Sequence, residues 1–442
     1  MIDHPRRPAA AMPVSGPWLL TLLLTLSLGA GPTLAAERGL PTARPEQVAM
    51  SAERLERIGA MTRRYVSEGK LAGVVTLVAR EGKVVYLDVV GQADLESGAP
   101  MRPDTLFRIY SMTKPIASVA LMMLYEEGAF QLADPISKFL PELASLEVLQ
   151  DDGSRVPAQP ITFQQVLTHT AGFSYGFNPQ DPVDQLYQAS DWARSENLDA
   201  FIATLARLPL KFQPGSRWHY SVANDVQGAL VERISGQRFD EFLKTRLFEP
   251  LGMHDTFFDV PANKRARLGT NHRYDAEAGR LEVLTEAEYP VFAGTSFFSG
   301  GAGLVSTAAD YARFAEMLRN GGALGEARIL SPKTIELMTM NHLPALMQAS
   351  GSGERPGLGG LGGYMGAGFG LGFGVVTDVP ASRVIGSEGE YSWGGAAGTI
   401  FWVDPVEDLV VVGMIQLMQS PWPLRNELKA LTYQALTRLN GG

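Results

Sequence analysis

Strand-like segments lie near both ends of this chain, and a long stretch with little strand alternation separates them. Residues Ala72 to Ala79 and Lys83 to Val90 are rich in Val, Leu and Tyr and flank a glycine-containing turn, which is typical of an antiparallel hairpin. Near the other end, Ser392 to Val403 and Leu409 to Leu417 predict a second hairpin across Asp404-Pro405. We therefore expect one antiparallel sheet formed from both ends of the chain.

Helical patterns flank these segments. Ser51 is a suitable N-cap for a helix that ends near Ser67. Apolar periodicity returns between Leu304 and Met340, and a closing helix is predicted for Leu424 to Leu439. The fold class that follows is α/β of the α+β type, with helices flanking the antiparallel sheet.

The predicted organisation has two structural parts. Residues 131–284 show helical patches and polar loops, so we interpret this stretch as part of an insertion. A mainly helical subdomain of residues 116–289 is expected to interrupt an α/β subdomain made of 36–115 and 290–442. The site is expected in the cleft between the two parts.

The first residues resemble an export signal. Arg6 and Arg7 supply a positive n-region, Trp18 to Ala30 an apolar h-region, and Thr33-Leu34-Ala35 small residues for cleavage near Ala35 or Ala36. The alternative is a retained anchor, but an apolar run of about 13 residues is shorter than the roughly 20 that a membrane helix needs. We predict a signal peptide over 1–35, no stable membrane anchor, and a periplasmic or secreted protein.

Composition excludes several kinds of chemistry. The net charge of −9 and the absence of any Lys/Arg run argue against nucleic acid as a partner. The chain has no cysteine, so disulfides, thiolate metal sites and a Cys nucleophile are excluded. The six histidines show no metal-ligand spacing. We expect no metal or cofactor; the oligomeric state is not defined by the sequence.

A Ser-x-x-Lys pattern occurs twice. A serine hydroxyl needs a neighbouring base before it is a good nucleophile, and this spacing puts the amine on the same helix face. Ser67 and Lys70 lie at the end of a surface helix, where both side chains are expected to be solvated. We therefore assign that pair a structural role.

The second pair, Ser111 and Lys114, opens a different kind of helix. Residues Met112 to Leu124 are apolar on all sides, which predicts a buried helix, and Pro115 is tolerated in its first turn. Burial lowers the pKa of a lysine and makes it a usable base. The alternative, an N-cap serine with a lysine that reaches the surface, is left open by the pattern alone.

Two other motifs compete for the functional role. Gly172 to Gly176 reads G-x-S-x-G around Ser174, but the capping-box pair Thr162 and Gln165 predicts a helix before it, where a nucleophile elbow needs a strand. Gly357 to Gly362 reads G-x-G-x-x-G without a preceding strand or a following helix. We interpret both as loops, and the Gly-rich stretch from Gly351 to Gly374 as a candidate lid.

Three short motifs, in this chain order, resemble the signature elements of family VIII carboxylesterases, relatives of class C β-lactamases and D-alanyl-D-alanine peptidases. They are Ser111-Met112-Thr113-Lys114, Tyr220-Ser221-Val222 and Trp393-Gly394-Gly395. Linking segments also look like this superfamily: Leu132-Ala133-Asp134-Pro135, Leu167-Thr168-His169-Thr170, Pro250-Leu251-Gly252-Met253 and Gly303-Leu304-Val305-Ser306-Thr307. The resemblance covers nearly the whole chain after the signal and implies the β-lactamase-like fold.

The resemblance also implies roles. Ser111 would attack the carbonyl, Lys114 and Tyr220 would share its proton and that of the leaving alcohol, and Tyr220 would later activate water. The order of proton transfer between the two is left open. The backbone N–H groups of Ser111 and Ala396 would form the oxyanion hole. Residues Trp393, Gly394 and Gly395 would contact the substrate, with the glycines allowing an edge strand to approach it closely.

Two departures from the β-lactamase pattern bear on the substrate. Trp393-Gly394-Gly395 replaces the usual Lys-Thr-Gly or His-x-Gly, so the cation for a substrate carboxylate is missing, and Val222 replaces an asparagine. Both favour an uncharged acyl group. The resemblance thus implies a serine hydrolase acting on small carboxylic esters with short acyl chains. The alternatives are a β-lactamase, D-amino-acid peptidase or acyltransferase on the same fold, and a non-catalytic binding or assembly protein.

Overall fold

The strands of the seven-stranded sheet come from the two ends of the chain, and shorter strands lie between them. The structure, a computed structural model, describes residues 39–285, 294–343 and 366–440. In chain order the strands are β1 Gly73–Arg80, β2 Lys83–Gly91, β3 Phe107–Arg108, β4 Glu147–Leu149, β5 Arg155–Pro157, β6 His272–Asp275, β7 Arg280–Val283, β8 Val305–Ser306, β9 Ala323–Leu324, β10 Ala327–Arg328, β11 Ala367–Phe369, β12 Gly374–Val376, β13 Tyr391–Gly394, β14 Ile400–Asp404, β15 Leu409–Met414 and β16 Leu417–Met418.

The main sheet joins the two ends of the chain, which confirms the predicted fold. Its strand order is β11-β12-β13-β14-β15-β1-β2, and every neighbouring pair is antiparallel. Strand β15 pairs with β1 so that Met414 lies opposite Val75 and Leu409 opposite Arg80. The strands from the C-terminal end of the chain and the N-terminal hairpin therefore form one continuous sheet.

One part of the predicted strand pattern was wrong. The segment Ser392 to Val403 is not one strand: a turn interrupts it between β13 and β14, closed by hydrogen bonds from Gly395 N to Thr399 O at 2.7 Å and from Gly398 N to Gly395 O at 2.9 Å. Apolar residues on both sides of the turn hide it in the sequence. Because β11 and β12 extend the sheet further, β13 with Trp393 is an interior strand and not the predicted edge strand.

Helices cover both faces of the sheet. They are α1 Ala52–Ser67, α2 Thr113–Glu126, α3 Phe163–Leu167, α4 Pro182–Ala189, α5 Leu198–Leu205, α6 Ala223–Ser235, α7 Phe239–Leu243, α8 Glu249–Leu251, α9 Ala308–Arg319, α10 Pro332–Thr339, α11 Val379–Ser382 and α12 Leu424–Tyr433. Short 3-10 helices lie at Pro45–Val48, Tyr110–Met112, Ile136–Lys138, Pro141–Leu143, Trp192–Arg194 and Ala262–Arg267, and a π-helical turn at Lys244–Phe248.

Alternation along β1 sorts the core into two layers. Val74 and Val78 face a cluster with α1 and α12, whereas Val75 and Leu77 face the larger cluster with α2 and α9. This alternation is the expected result of a strand with helices on both sides. Among the helices described, none has both the length and the apolar character to cross a bilayer.

The helix ends agree with the sequence signals, with one exception. Ser51 caps α1 by accepting the Arg54 N–H, and Thr162 and Gln165 form the predicted capping box of α3. Helix α12, however, stops at Tyr433 and not near Leu439. The chain beyond it turns to pair with residues 49–51, so those backbone groups bond there and not within a helix.

Helices α3 to α8 all lie in the stretch predicted to be an insertion, together with the short strands β4 to β7, which the sequence pattern missed. All described residues belong to one compact unit. The subdomain boundaries 36–115, 116–289 and 290–442 therefore stay a prediction. The predicted signal peptide, the G-x-G-x-x-G motif at 357–362 and most of the candidate lid lie outside the described residues.

Candidate active site

Ser111 lies where the chain enters the buried helix α2. It is in the middle of the 3-10 turn Tyr110–Met112, and Tyr110 adopts a positive φ of 42°, which is uncommon for a residue with a side chain. Strand β3 anchors this entry by pairing with β8, and Ile109 N donates to Leu304 O at 3.0 Å. The backbone that carries the serine is therefore held between the sheet and the helices.

Lys114 and Tyr220 both reach the Ser111 hydroxyl. Lys114 Nζ lies 3.1 Å from Ser111 Oγ, as the three-residue spacing on one helix face predicts. The Tyr220 phenol donates to the same oxygen at 2.7 Å from the segment that precedes α6, a helix that packs directly on α2. Three residues from two distant motifs thus meet at one oxygen atom.

Burial sets the protonation of this group. Lys114 is 2% exposed, and burial lowers its pKa to about 7, an effect that the carboxylate of Asp225 opposes. Burial raises the pKa of Tyr220 above its usual range, although the bond to Ser111 works in the other direction. At neutral pH the site therefore holds a protonated phenol beside an amine that is close to its titration point.

Contacts around the amine orient it toward the serine. Lys114 Nζ donates to the Gly301 carbonyl at 2.7 Å and lies 4.6 Å from the centre of the Tyr220 ring and 5.1 Å from that of Tyr175. The amine therefore lies between the Gly301 carbonyl and the Ser111 hydroxyl, beside the two aromatic rings.

The third motif contacts the same site from β13. The Trp393 ring is buried and lies 5.6 Å from the Tyr220 ring. A Cβ on Gly395 would come within 2.4 Å of the Ile109 carbonyl, two residues before the serine. Gly395 is therefore required by a close approach to the protein's own backbone, whereas the sequence predicted a close approach to the substrate. Gly394 has more room, since the nearest atom to a Cβ there would be 3.2 Å away.

Two amides predicted to form an oxyanion hole flank this contact. Ala396 lies in the turn between β13 and β14, next to Gly395, and Ser111 lies on the other side of the Ile109 contact. In the described part of the chain neither N–H donates to a protein acceptor. Their role as donors to a substrate oxygen stays a prediction.

Ser174, the rival nucleophile, has a structural environment. Its hydroxyl is fully buried and donates to Asp184 at 2.5 Å, and Lys211 donates to the same carboxylate at 2.7 Å. Helix α3, and not a strand, precedes the G-x-S-x-G motif, in agreement with its interpretation as a loop. Ser174 Oγ also accepts the Gly176 N–H at 3.0 Å, so its hydrogen bonds stabilise the loop that carries Tyr175.

The other Ser-x-x-Lys pair is apart from this site. Ser67 donates to the Arg64 carbonyl at 3.0 Å, and Lys70 pairs with Glu68 at 2.6 Å on the surface. The two side chains therefore have separate local partners, in agreement with the structural role predicted for them.

Sequence reasoning missed three residues that contact the amine or its neighbours: Tyr175, Asp225 and Gly301. Tyr175 stands inside the rejected G-x-S-x-G motif, and Asp225 follows Tyr220 by five residues, within the first turn of α6. The one available signal was a carboxylate among apolar helix residues. No local pattern pointed to Gly301, because its contact to Lys114 joins segments 187 residues apart.

The fold together with this grouping of serine, lysine and tyrosine defines a serine hydrolase of the β-lactamase-like fold. Its family follows from a direct match: the model of the Beta-lactamase family covers residues 58–434, so the chain belongs to that family. The resemblance seen in the sequence is thereby confirmed.

Several known proteins are similar over most of the chain. Esterase EstB of Burkholderia gladioli is 34% identical over 390 residues, which is 84% of this chain and 92% of the relative. Lovastatin esterase of Penicillium rubens is 32% identical over 371 residues, 79% of this chain and 90% of the relative. The solved structure of EstCE1, described as a hydrolase with promiscuous acyltransferase activity, has a TM-score of 0.73 at 28% identity and covers 87% of this chain and 99% of its own.

Proposed function

We propose that this protein hydrolyses small carboxylic esters through an acyl-enzyme on Ser111. The observation that carries the proposal is the pair of short contacts to Ser111 Oγ, 2.7 Å from the Tyr220 phenol and 3.1 Å from the Lys114 amine. A serine between a base and an acid is activated for attack on an acyl carbon. The esterase relatives EstB and Lovastatin esterase support an ester as the substrate.

The pKa directions suggest an order for the proton transfers. The Lys114 amine, with its pKa of about 7, takes the proton of Ser111 as its oxygen attacks the ester carbonyl. The Tyr220 phenol, whose raised pKa keeps it protonated, gives its proton to the departing alcohol. The products are an acyl-serine, an ammonium and a phenolate beside it.

Deacylation reverses these roles. The Tyr220 phenolate takes a proton from water, and the resulting hydroxide attacks the acyl carbon. As the carbon–oxygen bond to Ser111 breaks, the Lys114 ammonium returns the proton to Ser111 Oγ, so the starting state is restored. The amides of Ser111 and Ala396 stabilise the negative oxygen in both steps, and each such donor is worth about 100- to 1,000-fold in rate.

The surroundings favour an uncharged acyl group. Trp393 occupies the position where β-lactamases have a cation, and Trp393 packs against Tyr220 and Phe369, with ring centres 5.6 Å and 5.4 Å away. Val222 is fully buried and offers no polar contact. An apolar wall of this kind suits an alkyl or aryl ester better than a substrate with a free carboxylate.

A comparison of substrates tests this proposal. We expect kcat/KM for p-nitrophenyl butyrate to exceed that for nitrocefin by at least about 100-fold, since a missing cation for the lactam carboxylate removes a charge-assisted contact. A larger kcat/KM on nitrocefin would overturn the ester assignment. Butyl ester formation in the presence of butanol would instead indicate an acyltransferase, the activity named for EstCE1.

We also propose that the chain is exported and loses its first 35 or 36 residues. The support is the order of Arg6 and Arg7, the apolar run and Thr33-Leu34-Ala35. Expression of the full chain in a Gram-negative host should give a periplasmic protein whose N-terminal sequence begins at Ala36 or Glu37. Recovery of the uncut chain in the cytoplasm would contradict export.

A further inference from the structure

A buried carboxylate stands behind the Lys114 amine and has no role in the mechanism given above. Asp225 is fully buried in the first turn of α6. Its Oδ1 accepts the Gly301 N–H at 3.1 Å and the hydroxyl of Ser299. The Gly301 carbonyl belongs to the next peptide along the chain. It accepts a hydrogen bond from the Lys114 amine at 2.7 Å. A continuous path thus leads from the carboxylate to the amine and on to Ser111.

Close packing around Gly301 fixes the positions of the groups along this path. A Cβ on Gly301 would come within 2.6 Å of both Asp225 Oδ2 and the Tyr175 hydroxyl. Only a residue without a side chain lets the carboxylate and the phenol approach that backbone. Both oxygen atoms are buried, and among the described residues neither has a hydrogen-bond partner. An ionised group with one unbonded oxygen is costly to bury, so it needs a compensating charge nearby.

In its ammonium form Lys114 is that charge. Burial raises the pKa of Asp225, and the attraction of the ammonium, with the hydrogen bonds from Ser299 and Gly301, acts in the opposite direction. The other titratable groups around the amine are Tyr175, Tyr220 and His169. Burial raises the pKa of each tyrosine and lowers that of His169 well below its usual value, so all three are neutral near pH 7. Asp225 therefore provides the negative charge that the ammonium form experiences.

We propose that Asp225 is a positioning residue of the hydrolase: its carboxylate fixes the backbone of Gly301, whose carbonyl accepts a hydrogen bond from the Lys114 amine, and is the counter-charge of that amine. The proposal rests on the proposed role of Lys114 as the base. It makes the pH at which the enzyme becomes active depend on a residue that touches neither the substrate nor the serine.

The charge of Asp225 affects the pH at which Lys114 becomes a base. The amine accepts a proton only in its neutral form, so kcat/KM should rise with pH through the pKa of Lys114, about 7. A nearby negative charge favours the ammonium and thus moves this rise to higher pH. Removing the charge should move the rise to lower pH.

The test is the pH dependence of kcat/KM for p-nitrophenyl butyrate in Asp225→Asn, with product read at its isosbestic wavelength. The asparagine amide oxygen can still accept from Gly301 and Ser299, so only the charge is lost. We expect the rise of kcat/KM on the acid side to occur about one pH unit or more lower than in the wild type. One opposite charge at close range shifts a pKa by about that amount. The plateau at high pH should stay within about tenfold of wild type.

A matched control is Asp310→Asn, which alters another buried carboxylate that accepts the Asp255 N–H at 2.7 Å and the Thr256 hydroxyl at 2.9 Å. Its profile should not move. An unmoved profile in Asp225→Asn, or a move to higher pH, would overturn the proposal. Fluorophosphonate labelling of Ser111 in that same variant shows that the nucleophile is intact, so this failure differs from a failure of the esterase assignment.

A second variant covers the case in which Asp225→Asn does not fold. Ser299→Ala keeps the carboxylate but removes a hydrogen bond that stabilises its charge. The profile should move in the same direction by a smaller amount. A purely structural role for the Ser299 and Asp225 pair predicts a lower rate at every pH with no move, and that result would also overturn the proposal.

Discussion

Ser111→Ala should lose ester hydrolysis by about 10⁴-fold or more, since no acyl-enzyme can form without the hydroxyl that Tyr220 and Lys114 contact. Hydrolysis of p-nitrophenyl butyrate and labelling by a fluorophosphonate probe measure this loss. The substitution removes one oxygen atom from a partly exposed side chain, so the fold should be retained in circular dichroism.

The matched control for that variant is Ser174→Ala. The Ser174 hydroxyl donates a hydrogen bond to Asp184 and does not contact Ser111. The variant should therefore keep fluorophosphonate labelling even if the loop around Tyr175 is less stable. Labelling that persists in Ser111→Ala and disappears in Ser174→Ala would show that the wrong serine has been chosen.

The second large effect is expected for Lys114→Met, which should lower kcat/KM by on the order of 10³-fold, the usual contribution of a general base. Methionine has similar length and fills the buried space without the amine. The variant should also lose the rise of kcat/KM through pH 7, because the group that titrates there is gone.

Lys70→Met is the natural comparison, since it alters the other Ser-x-x-Lys lysine, which lies on the surface beside Glu68. Its rate and pH profile should match those of the wild type. If Lys114→Met retained the acid side of the profile, another residue would be the titrating base and the proton order proposed here would be wrong.

The sequence predicted the sheet and the main helices because their signals are local. The Val-, Leu- and Tyr-rich segments of β1 and β2 around their turn, the N-cap at Ser51 and the all-apolar helix α2 each follow from neighbouring residues. The turn at Gly395 was missed, since apolar residues on both sides give one continuous pattern. The end of α12 was missed for a different reason: the backbone groups after Tyr433 pair with residues 49–51, a long-range contact that no local pattern encodes.

For the site, the motifs predicted which residues meet but not what surrounds them. Helical spacing brings Lys114 to Ser111, whereas Tyr220 and Trp393 were found only through the resemblance to a family. The contacts of Gly301 and Asp225 depend on how α2, α6 and the segment before β8 pack, and no short sequence pattern encodes such packing.

The central claim is that hydrolysis proceeds through an acyl group on Ser111. Mass spectrometry of the enzyme quenched during turnover of p-nitrophenyl butyrate tests it most directly. The prediction is a mass increase equal to one butyryl group, located after proteolysis on the peptide that contains Ser111. A butyryl group on any other residue, or turnover of the ester without any adduct under conditions that trap a known serine esterase, would contradict it.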